Sequence, residues 1–295
     1  MPEGPEIRLA ADQLARVLAG RRAMLVQFSK NKFPALQRAG RQLTGRKMGA
    51  IEARGKAMLT HFEGGLTIYS HNQLYGEWAV FKGPAPATHL QTRLTIATAS
   101  HTAVLYSASD IAVLKASELH RHPYLAKLGV ELLDPAVTRN DVLAQINQPR
   151  FARRSLAALL LEQGFLAGIG NYLRSDILFD AGLHPEMRIA DLAPDQRLAL
   201  ARSALKLIRR SYRTRGITND PALAKRLKSQ GWSFSRYRHW VFDRAGEPCH
   251  RCGHLIRRIE AGSRGLYLCD HCQASGPEAH NHRVSPGRTA KRGRA

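Results

Sequence analysis

No apolar stretch of this chain runs longer than the six residues Leu156–Leu161. A membrane-spanning helix needs roughly 18 or more, so no spanning helix and no membrane partner are expected. The first residues also lack the apolar segment of a secretory signal, which argues against export. Cysteine is scarce too: there are four, all between 249 and 272. With none elsewhere, a disulfide-stapled scaffold is excluded, and two close pairs in a reducing compartment point to metal. Acidic residues are the third shortage, at 23 Asp+Glu against 45 Lys+Arg, for a formal net charge of +22 and a pI near 10.7. Such an imbalance favours a polyanionic partner, the alternative being a soluble protein from a proteome that is basic throughout. No internal repeat is visible, which sets solenoids aside.

What is present suffices for two domains and a small module: 295 residues, 44% of them apolar. Residues 5–19 read as a helix, with Pro5 suited to its first turn, Ile7, Ala10, Ala11, Leu14, Val17 and Leu18 on one face, and Gly20 as its stop. Seven short runs follow, at 24–28, 47–53, 57–62, 66–70, 77–81, 94–99 and 103–107, separated by turn signals such as Gly64-Gly65. Two packed sheets are the expected form. Beyond Pro123 and Pro135 the pattern turns helical, with helices predicted at 154–163, 171–181 and 194–209. Bases interleave with aromatics over 210–240. The boundaries are therefore set at 1–126 for a β-sandwich domain, 127–240 for a helical domain, 241–273 for a cysteine module and 274–295 for a disordered basic tail. The fold class is α+β multidomain.

The opening Met1-Pro2-Glu3 carries chemistry of its own. Once Met1 is removed, Pro2 is a secondary amine with a carboxylate beside it. Added to an aldehyde-level carbon, that amine gives a cationic iminium, an electron sink able to drive base loss and elimination of neighbouring phosphates. The positive end of the 5–19 helix disfavours a protonated amine and favours an ionised Glu3.

Four other constellations stand out. Cys249-x2-Cys252 and Cys269-x2-Cys272, sixteen residues apart, match a closed four-thiolate zinc site, with an iron–sulfur cluster as the less fitting alternative. A hairpin of 255–259 and 265–268 fits between the pairs, and the metal would hold its tip, 260–264, rigid. Residues 163–172 read as a helix, a glycine turn and a helix start whose N–H groups can bind phosphate, with Asn171 as cap or direct donor; the alternative is a helical hairpin whose glycines only pack. Gln73-Leu74-Tyr75 sits on a turn between strands and can fill the gap left by a base that leaves the stack, unless Leu74 is tucked into the core. Lys56 is a phosphate clamp, a catalytic amine or a solvated surface lysine.

Taken together, these residues resemble the formamidopyrimidine-DNA glycosylase and endonuclease VIII family of bifunctional repair enzymes, over nearly the whole chain to Cys272. The opening Met1-Pro2-Glu3-Gly4 and the consecutive Gln73-Leu74-Tyr75 are similar to the endonuclease VIII branch. The resemblance implies an N-terminal two-sheet β-sandwich with flanking helices, a helix-two-turn-helix domain and a C-terminal four-cysteine zinc-finger β-hairpin. It implies Pro2 as nucleophile at C1′, Glu3 as general acid/base, and Lys56 and Arg264 serving the first and second eliminations. Asn171 would hold phosphate, and Gln73, Leu74 and Tyr75 would fill the vacated space. Cys249, Cys252, Cys269 and Cys272 would hold one structural Zn2+, with no catalytic metal or nucleotide cofactor. The substrate would be damaged double-stranded DNA carrying an oxidised pyrimidine, bent across the cleft with the lesion flipped out, cut by β,δ-elimination. The setting would be cytoplasmic and nucleoid-associated, and one lesion needs only one active site, hence a monomer. Lys127 stands where the branch tends to have arginine, which weakens a phosphate contact by removing its bidentate fork. Asp243 and Ala245 also depart from the family's usual residues, and Glu6 matches a family acid whose role the sequence leaves open. Two other readings remain: the oxidised-purine branch, which the 73–75 triplet argues against, and a non-enzymatic zinc-dependent DNA binder, which leaves Pro2-Glu3 without a purpose.

Overall fold

The computed structural model describes residues 2–273; Met1 and the tail expected over 274–295 lie outside the described residues. The first helix, α1 (Gly4–Leu18), forms where expected. Pro5 occupies its first turn, and Gly4, Pro5, Ile7, Ala11, Leu14 and Leu18 are its buried residues. One face of α1 packs on the sandwich and another on the long helix of the second domain, so the residues just before it stand at the junction of the two.

The sandwich follows as β1 (Leu25–Phe28), α2 (Gln37–Leu43), β2 (Met48–Arg54), β3 (Ala57–Phe62), β4 (Leu66–His71), β5 (Glu77–Lys82), β6 (Thr92–Ala97), β7 (His101–Tyr106) and β8 (Asp110–Lys115). Two four-stranded antiparallel sheets result, ordered β1-β6-β7-β5 and β2-β3-β4-β8. Phe28, Met58, Ile68, Leu94, Ile96 and Leu105 fill the space between them together with the apolar face of α1. Sequence reading missed α2 and β8. Residues 110–115 lack strict in–out alternation, and the turn before them, with Ser107 at φ 53°, reads as the end of the β region. Pairing with β4 is what makes them a strand.

The second domain holds β9 (Val130–Glu131), α3 (Arg139–Ile146), α4 (Leu156–Leu159), β10 (Leu166–Ala167), α5 (Asn171–Ala181), α6 (Pro194–Thr214), α7 (Pro221–Ser229) and α8 (Phe234–Tyr237). The helix predicted over 154–163 is a single turn, α4. Beyond it the Gln163 amide donates to Leu161 O at 3.1 Å and Ile169 O at 3.0 Å and accepts from Gly168 N at 3.0 Å. Those side-chain bonds replace the helical ladder and swing the chain toward β10. α5 and its stop agree with the expectation, Gly182 taking φ 68°. α6 runs to Thr214 rather than 209 before Arg215 turns left-handed. The final hairpin is β11 (Arg257–Glu260) and β12 (Gly265–Leu268), its first strand starting later than 255. Leu266 and Leu268 of β12 belong to the helical core, so the cysteine module is packed into the second domain.

Candidate active site

Glu3 caps α1 by its backbone and then turns its side chain across the domain junction. It is 2% exposed. Its carboxylate accepts from Gly170 N at 2.6 Å, Tyr172 N at 2.8 Å and Leu173 N at 3.3 Å. Those are the N–H groups at the start of α5 that sequence reading assigned to phosphate. The assignment is corrected: an acid from the other domain occupies that helix terminus, a favourable place for negative charge. Close approach is what the glycines provide. A Cβ on Gly170 would lie 2.3 Å from the Glu3 carboxyl carbon, and one on Gly4 would lie 2.9 Å from Gly168 Cα, where Gly4 N donates to Gly168 O at 2.8 Å.

The expectation that Glu3 is held ionised also needs correction. Burial pushes its pKa up to about 7, Lys56 and the backbone N–H groups pull it down, and Glu6 adds to the rise. Desolvation outweighs the helix ends. A carboxyl that titrates near neutrality can both give and take a proton. Lys56 is 6% exposed, not a solvated surface residue. Burial lowers its pKa, Glu3 raises it, and Arg264 lowers it further. Its backbone N–H donates to the Tyr124 hydroxyl at 2.7 Å.

Pro2 and Glu3 border a cavity of about 990 Å³ between the domains. Leu74 and Tyr75 reach it from the β4–β5 loop, Asn171 from the start of α5 and Arg264 from the hairpin tip. Leu74 is 51% exposed and Tyr75 77% exposed, so the core placement of Leu74 is overturned. The loop is pinned by Asn72, whose Nδ2 donates to Gly76 O at 3.0 Å, and Gln73 adopts φ 52° and accepts from the Ser109 hydroxyl. Gln73 and Lys127 are exposed and stand outside the cavity lining.

The tip of the hairpin is held on α5 by side chains. Asn171 Nδ2 donates to Gly265 O at 2.8 Å, and its Oδ1 accepts from Arg174 at 2.6 Å, so Asn171 is not the helix cap, a place taken by Gly170. Arg174, fully buried, also donates to Ala157 O at 3.0 Å and Ala261 O at 3.3 Å. Burial lowers its pKa to about 10, as does Arg264, against the pull of Glu3. These contacts fix where Arg264 stands.

Several residues whose role the sequence left open or did not mark take a place in the site. Glu6 accepts from Glu3 N at 3.0 Å and from the Tyr172 hydroxyl at 3.0 Å, linking the two domains. Asp176 is fully buried and accepts from Val241 N at 2.9 Å, Phe242 N at 3.1 Å and Trp240 N at 3.2 Å. Asp243, noted only as an unexplained departure, borders the cavity with Arg215, Arg238, His239 and Phe242. The available signal was Arg174 and Asp176 set between Leu173 and the apolar run Ile177–Phe179, where buried charge demands partners.

The four cysteines form no disulfide. Sγ separations are 3.9 Å for Cys249–Cys272, 3.4 Å for Cys252–Cys269 and 3.5 Å for Cys252–Cys272, and all four sulfurs lie within 4.8 Å of one another. Tetrahedral zinc with bonds of about 2.3 Å places sulfurs roughly 3.8 Å apart, so the set fits the metal. Cys249 and Cys269 are packed with Phe179, Trp240, Val241 and Ile256.

Comparison with known proteins matches residues 1–108 to the formamidopyrimidine-DNA glycosylase N-terminal domain, 128–221 to the formamidopyrimidine-DNA glycosylase H2TH domain, and 246–274 to a zinc finger found in FPG and IleRS. The chain is 45% identical over 274 residues to Endonuclease 8 of Klebsiella pneumoniae, covering 92% of this chain and all of that protein. Endonuclease 8 of Salmonella enteritidis is similar at 45% identity with the same coverage. Among solved structures, Lactococcus lactis Fpg in complex with abasic-site DNA superposes with a TM-score of 0.77 at 20% identity, over 92% of this chain and 99% of that one. That likeness speaks for the fold, a β-sandwich, an H2TH domain and a C-terminal finger; the zinc-finger match and the four clustered cysteines give one structural zinc ion.

Proposed function

The chain belongs to the formamidopyrimidine-DNA glycosylase and endonuclease VIII family, and on that footing we propose how its own residues carry the reaction. It is a bifunctional DNA glycosylase and abasic-site lyase of base excision repair, acting on damaged double-stranded DNA. The oxidised-pyrimidine reading is supported by relatives at 45% identity that bear the name Endonuclease 8.

The observation that carries the mechanism is that Pro2 and Glu3 from one end of the sequence and Arg264 from near the other border one cavity. With Met1 removed, the Pro2 nitrogen attacks C1′ of the flipped nucleotide. The C1′–base bond breaks, and the base leaves with its electron pair and takes up the proton that the proline nitrogen gives up on bonding. Glu3, titrating near pH 7, protonates the sugar ring oxygen as the ring opens to the iminium. Loss of a C2′ proton then expels the 3′ phosphate, and loss of a C4′ proton expels the 5′ phosphate. Lys56, buried and with a lowered pKa, serves the first elimination by holding phosphate and moving a proton. Arg264 serves the second from the hairpin tip. Leu74 and Tyr75, exposed on the pinned loop, enter the duplex with Gln73 where the base has left. Asn171 and Lys127 contact backbone phosphate; for Asn171 this means exchanging a bond it now makes to Gly265 or Arg174. The bound zinc supplies rigidity to the finger and no step of the chemistry. The protein acts as a monomer in the cytoplasm, on the nucleoid.

Duplexes carrying thymine glycol and 8-oxoguanine, cleaved side by side, test the assignment. Thymine glycol is expected to be removed at least about tenfold faster, a difference of about 1.4 kcal/mol in barrier. Faster removal of 8-oxoguanine would place the chain in the oxidised-purine branch.

A further inference from the structure

The far wall of the cavity holds a buried acid–histidine pair that the reaction above does not use. His239 is 3% exposed and borders the same cavity as Pro2 and Glu3. Its Nδ1 lies 2.9 Å from Thr218 Oγ1 and 3.3 Å from the Asp176 carboxylate. The Thr218 hydroxyl donates to Asp176. Its oxygen, like the carboxylate, is then open only as an acceptor toward His239. The Nδ1 of His239 is therefore the protonated nitrogen, and in the neutral ring Nε2 is a hydrogen-bond acceptor. Burial works against the charge of Asp176, but the bonds from His239, Thr218 and Val241 outweigh it and lower its pKa, so the tautomer is fixed from behind.

Around this nitrogen the surface suits a planar ring. The imidazole lies 5.0 Å from the Tyr172 ring and 5.3 Å from the Phe242 ring. The next residue in the chain, Arg238, borders the same cavity and places its guanidinium 5.7 Å from the centre of Tyr172, and its Nε is buried without a hydrogen-bond partner among the described residues. Flipped bases are read by stacking on aromatic side chains and by hydrogen bonds to their Watson–Crick edge. An acceptor beside a donor is the complement of an N–H beside a carbonyl.

We propose that His239 Nε2 and the Arg238 guanidinium read the imide edge of the flipped base, accepting from N3–H and donating to the adjoining carbonyl. Ring-damaged uracil and thymine present that edge. Seated in the same register, with N3 at His239, cytosine-derived lesions present a bare N3 and set acceptor against acceptor, which a buried site penalises strongly. The chemical class favoured is thus the oxidised or saturated pyrimidine that keeps an N3–H imide. Guanine's N1–H and C6 carbonyl share the pattern, so the test is made among pyrimidines. The proposal rests on the glycosylase and lyase reading given above.

The experiment is single-turnover base excision by the full-length zinc-loaded protein from duplexes carrying 5,6-dihydrouracil, its N3-methyl derivative, or 5-hydroxycytosine. Each rate is taken as a ratio to abasic-duplex cleavage by the same protein. Wild type should excise dihydrouracil at least about tenfold faster than the N3-methyl lesion. His239→Phe, which keeps an aromatic face and removes the acceptor, should lower the dihydrouracil ratio about 10- to 100-fold and the 5-hydroxycytosine ratio much less. Equal excision of the methylated and parent lesions by wild type overturns the proposal, as does an equal fall for both lesion types in the variant. Failure of wild type to cleave any duplex, the abasic one included, overturns it together with the reading on which it rests.

Discussion

Glu3 caps the first helix by its backbone, fills the start of α5 with its carboxylate, and borders one cavity with Pro2, the proposed nucleophile. Its pKa, raised to about 7 by burial, has a consequence for stability. The folded state binds this proton more tightly than the unfolded chain does. The resulting stabilisation is complete below pH ~4.5 and is lost as pH rises through about 7, on the order of 3 kcal/mol in all. Denaturant unfolding of wild type and Glu3→Gln across this range checks it: the wild type should lose stability relative to the variant, and parallel pH curves would contradict the assignment. At this scale the sequence was informative about types and silent about surroundings. Pro2, Glu3 and the cysteines were legible because their chemistry is local and their spacing distinctive. The raised pKa of Glu3, the burial of Lys56 and the bonds of Asp176 come from groups distant in the chain, which no local pattern contains.

The elements that matter most are α5 and the finger hairpin. α5 carries Asn171 and Arg174 on its first turn and Ser175 and Asp176 just beyond. The first three bond the hairpin strand or its tip, while Asp176 fixes the segment leading to the finger. Removing a finger ligand should therefore act on chemistry through Arg264. Cys269→Ala is expected to lose the bound zinc by elemental analysis and to cleave abasic DNA mainly to the β-product; Arg264→Ala should reach the same product pattern with zinc retained. An unchanged share of δ-product in Arg264→Ala would remove the hairpin tip from the second elimination. Element types were read well at α1, with Pro5 in its first turn, and at α5, with Gly182 as its stop; α3 and α7 went unread although Thr138 and Asp220 cap them. Types were misread at 154–163, where Gln163 bonds the backbone and overrides an apolar, helix-like run, and at β8, which only its partner strand defines.

At the scale of the whole molecule, the chain carries a net charge of +22, and a cavity opens between its two domains. Binding to duplex DNA should weaken steeply with salt, log affinity falling by roughly 0.9 per neutralised phosphate for each tenfold rise in salt. A fluorescence-anisotropy titration at several salt concentrations measures this, and a flat response would mean that the charge serves another partner. Two sheets followed by helices and a metal module were visible in the sequence. How the two halves meet was not. The junction is built from Glu3 in α5, Gly4 against Gly168, Tyr172 on Glu6, and Tyr212 on Asp12 at 2.6 Å. These pairs are far apart along the chain and are joined only by folding. Together they carry Pro2 to the cavity, and the proposed chemistry depends on that placement. Borohydride reduction of the full-length protein on abasic DNA, followed by peptide mapping of the adduct, tests it most directly. The account predicts a DNA-linked N-terminal peptide that begins at Pro2, with the sugar carbon on the proline nitrogen; an adduct on Lys56, or full lyase activity in protein that still carries Met1, would contradict it.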